Sequence, residues 1–453
     1  MRDRTDSFTR LFVYSFIRSA VFRVNESTNQ RINAALTALF FFTIPISASA
    51  ATLTYRHKHH LYSIDASAQK GWKKSAEIWR LHGQEIIPPS TLLVDGDTPP
   101  PLPSGITKEQ ERQWSREAIG ASLTSLIGSD IALERGRVTI GRSASGKVIF
   151  QGVGMPGREL HLDQTIELTI AALEQGISDI VLPVTETQPE MIITDPALEK
   201  EGIRELVALG ESDFSNSPAA RRHNIDVGLA RFNGHVIPHG TVFSFTTVLG
   251  PVDASTGYRK ELVIKGDRTI PDYGGGLCQV SSTAYRGVWE YGFPIVKRKN
   301  HSFTVNHYSP QGTDATVYPP VVDMQFKNDS PGTLLIQTHK IGDKAYFLYY
   351  GTRDLRESEI VGPYIWDRVA PPPSKVEYTQ GLPPGFRKKI GERIPGMKAI
   401  WYRITKRPGS EEVIEPVYSE YEARPFFEQV GVEVLPGTGS GEEINTTKPP
   451  RVF

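Results

Sequence analysis

Cysteine is almost missing: the 453 residues contain one, Cys278. A single thiol excludes an intramolecular disulfide framework and any paired-cysteine metal knuckle. An excess of one charge is also missing. Lys plus Arg and Asp plus Glu number 51 each, so the net charge is zero. That balance gives no reason for a polyanion partner, and no nucleic acid is expected. Gly (40) and Pro (33) are plentiful by contrast. Together they are about one residue in six, above the roughly 12% average, which points to β-rich structure with many turns. Hydrophobic residues at 39% and aromatics at 9% can bury a core, so wholesale disorder is excluded. At roughly 150 residues per domain, the length suits about three domains.

One long uncharged run exists, residues 32–55, with Arg31 before it and Arg56-His57-Lys58-His59-His60 after it. Its length suits a membrane anchor. Ala48-Ser49-Ala50 instead suits signal-peptide cleavage. A buried helix of a soluble protein is the third reading. The first two place the remaining chain outside the cytoplasm. It would then be a single-pass membrane protein with extracytoplasmic domains, or be secreted to the cell wall.

The fold class expected is α+β, a β-rich multi-module protein with short helices. Residues 56–129 read as linker, with short helices around 72–81 and from Thr107 through Ile127. A small module over 130–190 holds a hairpin (137–142 with 147–150), a helix over 162–175 and a strand over 179–184. Gly152-Val153-Gly154-Met155-Pro156-Gly157 matches a dinucleotide fingerprint. Pro156 and the alternation after it deny the helix start that phosphate binding needs, so the run reads as a turn. No cofactor and no metal site are expected. Helices are predicted over 196–210 and 219–231. A β-rich region follows over 240–351, with one helix after Cys278. Residues 353–375 read as a second linker, 376–434 as a β module, and the tail from 437 as disordered.

The chemistry-bearing stretch is Tyr273-Gly274-Gly275-Gly276-Leu277-Cys278-Gln279-Val280-Ser281. Glycines permit a tight turn, and apolar residues at 280, 284, 285 and 288 have helical spacing. The thiol is therefore placed at a helix N-terminus, which favours a thiolate. A nucleophilic thiol needs a base, and the base needs an orienting group. His301 and Asp314 lie downstream, the first just before stretch 302–308 and the second opening stretch 314–318, both of which read as strands. They give a Cys278–His301–Asp314 triad as the candidate. His307, His223 and His239 are alternative bases. A bland reading stands beside this one, in which Cys278 is a small buried hydrophobe and Asp314 ends a turn.

Residues 198–351 resemble the VanW family, named for a protein encoded in some vancomycin-resistance clusters. The resemblance rests on Phe214-Ser215-Asn216-Ser217, Arg222-His223-Asn224-Ile225, Gly240-Thr241-Val242-Phe243-Ser244-Phe245, the run from Gly274 through Thr283, Asn300-His301-Ser302 and Asp314-Ala315-Thr316-Val317. It implies an extracytoplasmic protein of the cell envelope and assigns no reaction. Within those motifs Gly274, Gly275, Gly276, Gln279, Ser281, Arg222, His223 and Asn224 are candidate binding residues. Residues 130–190 resemble a peptidoglycan-binding module that often precedes this domain. Residues 394–434 resemble a G5 module, a surface domain linked to N-acetylated sugars. Together these imply a wall protein that binds peptidoglycan, or its glycan and stem-peptide fragments, and is held at the membrane by the N-terminal segment. The alternative is a Cys-His-Asp amidase, peptidase or acyl-transferase acting on peptidoglycan amide bonds.

Overall fold

Four antiparallel strands form the middle of the protein, in the order Glu205–Asp213, Lys344–Gly351, Leu334–Ile341 and Val236–Ile237. The computed structural model describes residues 52–87, 104–265 and 268–436. Side chains alternate across these strands, so each face of the sheet has its own apolar set. Val207, Ala345, Phe347 and Tyr349 face one core, while Leu206, Tyr346, Leu348 and Tyr350 face another.

The helix Leu277–Tyr291 covers the first face. It lies close because both partners are glycine at the crossing. A Cβ on Gly210 would sit 2.0 Å from the Thr283 carbonyl oxygen, and one on Gly287 would sit 2.6 Å from the Gly210 nitrogen. The Tyr349 hydroxyl donates to the Ala284 carbonyl at 3.0 Å. Helix Ala219–Phe232 packs beside the central helix, with Ile225, Leu229 and Phe232 turned into the same core. The second face receives Val138 and Ile140 from the hairpin Arg137–Arg142 and Val148–Gly152.

Farther out, the hairpin Thr52–His57 and His60–Asp65 is joined in parallel by Asp179–Val181. Beneath it runs the helix Leu162–Gln175, ended by Gly176 at φ 69°. Tyr55 meets Thr169 there through a 3.0 Å hydroxyl contact. At the other end, strands Glu357–Val369, Gly396–Lys406 and Val413–Tyr421 make an antiparallel sheet. Ile360 and Trp401 of that sheet lie in the central core, and Trp401 meets Trp289 edge-on at 5.7 Å.

The β-rich α+β expectation agrees with this architecture, and several local expectations do not. Residues 56–129, expected as linker with helices, instead hold the end of strand Thr52–His57 and strands His60–Asp65, Lys73–Leu81, Gln84–Ile86 and Ile106–Trp114. The helices expected around 72–81 and from Thr107 are thus strands, and a helix begins only at Arg116, capped by Ser115. Helix Pro196–Lys200 stops before Gly202, which sits at φ 97°, and Glu205–Asp213 pairs as a strand instead of continuing it. The second expected linker is mostly the strand Glu357–Val369. Residues 302–308 and 314–318 are loop, with one 3-10 turn at Asn306–Tyr308. The apolar run 32–55 falls outside the described residues except for its last four, which open the first strand. The expected disordered tail from 437 lies outside them too. Among the described residues, no helix is long and apolar enough to cross a membrane.

Candidate functional site

Three glycines bring the chain into the central helix. Gly274 and Gly276 hold φ of 82° and 114°, a region side chains disfavour. A Cβ on Gly275 would lie 2.8 Å from the Leu262 carbonyl oxygen. The Leu277 N–H donates to the Gly274 carbonyl and the Gln279 N–H to the Gly276 carbonyl. Cys278 therefore occupies the first turn, half-buried, at the positive end of the helix dipole.

His301 and Asp314 reach it from the loop over the helix. Both are buried, at 4% and 2% exposure. Asp314 Oδ2 accepts from the His301 backbone N–H and pairs with His301 Nδ1, each at 2.7 Å. That contact commits Nδ1 to the carboxylate and leaves Nε2 for the thiol, with which His301 shares a hydrogen bond. Tyr308 stacks on the imidazole with ring centroids 4.4 Å apart. Sγ also contacts Thr316 Oγ1 at 3.4 Å and the Val317 carbonyl at 3.6 Å.

The electrostatics follow from this order. Burial pushes the Cys278 thiol up, but the His301 charge and the hydrogen bonds outweigh it and bring it down to about 7. Burial disfavours the His301 imidazolium, yet the Cys278 thiolate and the Asp314 carboxylate hold it well above its usual range. Asp314 is itself driven low: burial opposes ionisation, and His301, Arg298 and Tyr421 together overcome that. Both shifts favour a thiolate–imidazolium pair, which the Asp314 carboxylate orients.

Of the alternative bases, His307 is half-buried with Arg221 and Asp213 as its charged neighbours. His223 Nε2 lies 2.8 Å from the Gly257 carbonyl, and His239 Nδ1 lies 2.5 Å from the Ser330 carbonyl. Thus His301 is the imidazole placed on Cys278.

The candidate binding residues divide. Gly274, Gly275, Gly276, Gln279, Ser281 and Asn224 are all buried. Asn224 ties the Arg259 and Gly275 carbonyls, each at 3.0 Å, so it holds the glycine turn from behind. Gln279 donates to Ser212 Oγ and the Asp213 carbonyl. The Ser281 hydroxyl has no partner among the described residues. Arg222 forks onto Asp343. Arg222 and His223 are half-buried, and their side chains engage Asp343 and the Gly257 carbonyl. Among the described residues, no group of three or more His, Cys, Asp or Glu is arranged to hold a metal ion.

Two arginines that the sequence did not mark complete the apparatus. Arg286, two turns along from the thiol and 2% exposed, donates to the carbonyls of Tyr308, Ser309, Thr313 and Glu211. Arg298 donates to the Asp314 carbonyl at 2.7 Å and to its Oδ1 at 3.2 Å. Arg298 lies three residues before His301, and that spacing could have flagged it. Nothing local flagged Arg286.

Comparison with known proteins bears on the same region. Residues 220–350 match the family model described as VanW like protein. The chain is 34% identical over 178 residues to the uncharacterized protein YoaR of Bacillus subtilis (strain 168), a stretch covering 39% of this chain and 57% of that one. It is 26% identical over 117 residues to the vancomycin B-type resistance protein VanW of Enterococcus faecalis (strain ATCC 700802 / V583), covering 25% and 42%. The chain thus spans about half the length of the curated relatives it matches. No solved structure matches it. Cys278, His301 and Asp314 all fall inside the matched residues, so the site lies within a VanW-like domain of this chain.

Proposed function

We propose that this is a cell-envelope protein whose Cys278–His301–Asp314 site cleaves or transfers an acyl group at an amide bond of peptidoglycan. The observation that carries the reading is the thiol at a helix start, paired with an imidazole whose far nitrogen is held by a buried carboxylate. The substrate class is supported by the relatives, one of which is named for vancomycin resistance.

The steps use these residues alone. Thiolate Sγ attacks the amide carbonyl carbon, and the new C–S bond moves an electron pair onto the carbonyl oxygen. The backbone N–H of Cys278, in the first turn of the helix, is offered as a donor to that oxyanion. The imidazolium gives its Nε2 proton to the departing amine as the C–N bond breaks. A thioester remains on Cys278. Water, for hydrolysis, or a second amine, for transfer, then attacks it. His301 takes that nucleophile's proton, and Cys278 leaves as thiolate.

The test is digestion of isolated peptidoglycan by the folded protein, with the fragments read by mass spectrometry. New amine ends or new amide cross-links are expected with the native chain and absent with Cys278→Ala. An unchanged fragment profile for both would refute the reaction.

A binding role has an observation of its own. Tyr364, Trp366 and Tyr418 are exposed on one face of the C-terminal sheet, whose opposite face carries buried Trp401 and Ser419. Trp366 and Tyr418 lie 6.0 Å apart, beside Lys398 and Glu420. Flat aromatic faces flanked by polar groups suit sugar rings. Trp366→Ala should then weaken co-sedimentation with insoluble peptidoglycan. Equal retention of the two proteins would leave this face without a glycan role.

A further inference from the structure

The VanW-like domain ends at residue 350, yet part of the apparatus around Cys278 comes from beyond it. The strand Val413–Tyr421 presents Ser419 and Tyr421 from one face toward the loop that carries Asp314. Both are buried. The Tyr421 hydroxyl donates to Asp314 Oδ1 at 2.6 Å and accepts from the Gly312 N–H at 2.7 Å. It therefore fixes the carboxylate relative to its own turn. Ser419 Oγ accepts from Arg298 Nη1 at 2.8 Å, and the same guanidinium reaches the Gly312 carbonyl and Asp314 Oδ1 through Nη2. Asp314 Oδ1 is thus held by two donors, one on the strand and one anchored to it. Oδ2 is left for His301.

Neighbouring contacts keep the strand in place. The Trp401 indole N–H donates to the Gln311 carbonyl at 2.8 Å. The Glu422 N–H donates to the Ser302 carbonyl at 2.7 Å, and Asn300 Nδ2 donates to the Glu420 carbonyl at 2.7 Å. These bonds flank both His301 and Asp314 in sequence. The C-terminal sheet therefore closes the loop at both ends of the His301–Asp314 pair.

Resting on the Cys278–His301–Asp314 reading above, we propose that Tyr421 is a positioning residue of this site: from outside the VanW-like domain, its hydroxyl orients Asp314, which in turn orients His301 on the thiol. Tyr421 touches neither the thiol nor the reacting atoms. Its effect reaches Cys278 through the carboxylate and the imidazole.

The experiment follows Cys278 alkylation by iodoacetamide against pH in the folded full chain, together with fragment release from peptidoglycan. The native midpoint is expected near 7. Tyr421→Phe keeps the ring and removes the donor. It should raise the midpoint and slow alkylation at pH 7 by roughly three- to tenfold. Asp314→Asn should raise it further. Tyr421→Phe added to Asp314→Asn should change nothing more, because both act through one group. A merely structural tyrosine would lower the melting temperature and leave the midpoint alone. An unmoved midpoint in the folded Tyr421→Phe protein, or a shift that adds fully to Asp314→Asn, overturns the proposal. Should Tyr421→Phe fail to fold, Ser419→Ala removes the shorter of the two bonds by which the same strand holds Arg298, leaving the one to the Tyr418 carbonyl at 3.3 Å, and should raise the midpoint alike. An unmoved midpoint there overturns it equally. Fragment release separates the two ideas. A shifted midpoint with no turnover by the native chain keeps the positioning role and defeats the reaction. Turnover with an unmoved midpoint does the reverse.

Discussion

Cys278 owes its acidity to a neighbour 23 positions along the chain and not to its turn alone. Burial by itself drives the thiol the other way. His301→Ala should therefore do more than remove a base. The thiol should titrate above the ordinary value of roughly 8.5, because burial then acts unopposed. Alkylation at pH 7 should slow by more than roughly tenfold. A stopped-flow alkylation series from pH 5 to 9 measures this, and a midpoint still near 7 would assign the acidity to the helix start. The glycine run and the spacing after it made Cys278 legible in the sequence. His301 and Asp314 were legible as types within reach. The choice of His301 over His307 was not, since both sit in one short stretch, and only the fold brings His301 onto Asp314 and the thiol.

The loop over the central helix shows what local pattern leaves out. Residues 302–308 carry alternating character and read as a strand. In the protein, the carbonyls of Tyr308, Ser309 and Thr313 are taken by Arg286. A side chain on the helix thus replaces the neighbouring strand that a ladder would need. The stretch 196–210 fails for the opposite reason. Its composition favours helix, but pairing of Glu205–Asp213 with Lys344–Gly351 supplies tertiary contacts that outweigh propensity. Arg286 lets the loop argument be tested. Arg286→Met keeps the bulk of the side chain and strands its acceptors in a buried site. It should cost on the order of 3 kcal/mol or more of stability. The loop should also loosen, so Cys278 should lose its low midpoint in whatever fraction stays folded. Chemical denaturation gives the first quantity and alkylation the second. A variant with native stability would show that water replaces the guanidinium there.

The outer elements are bound to the central helix by charge as well as by packing. The His59 backbone N–H donates to Glu290 Oε1 at 3.2 Å, and His59 Nδ1 contacts the same oxygen. Burial raises Glu290 from 4.5 to about 7, with Lys58, His60 and Arg286 opposing the rise and Glu211 adding to it. Burial holds His59 well below 6.5, with His60 and Arg286 reinforcing this. The signs are opposite. A carboxyl raised on folding stabilises fully below about 4.5 and loses that stabilisation as pH climbs through about 7. A histidine depressed on folding costs stability as pH falls below 6.5. Glu290→Gln removes the first contribution only. The variant should gain on the native chain as pH rises from 5 to 8, judged by urea midpoints, and a constant gap between them would exclude Glu290 as the source. The C-terminal sheet raises the last whole-molecule question. The sequence reads 353–375 as a linker, which predicts a separately folding module. Ile360 and Trp401 instead complete the central core, and Arg403 donates to the Trp289 and Phe293 carbonyls. Cutting a module free there would strip one side of Trp289. Unfolding in urea, followed by tryptophan fluorescence and by Cys278 alkylation, should therefore trace a single shared transition for these elements. Trp401→Ala should move both traces together, by about 3–5 kcal/mol. If fluorescence fell first while the thiol kept its native rate, the C-terminal sheet would be an independent domain, and the hold of Tyr421 on Asp314 would be too weak to govern the site.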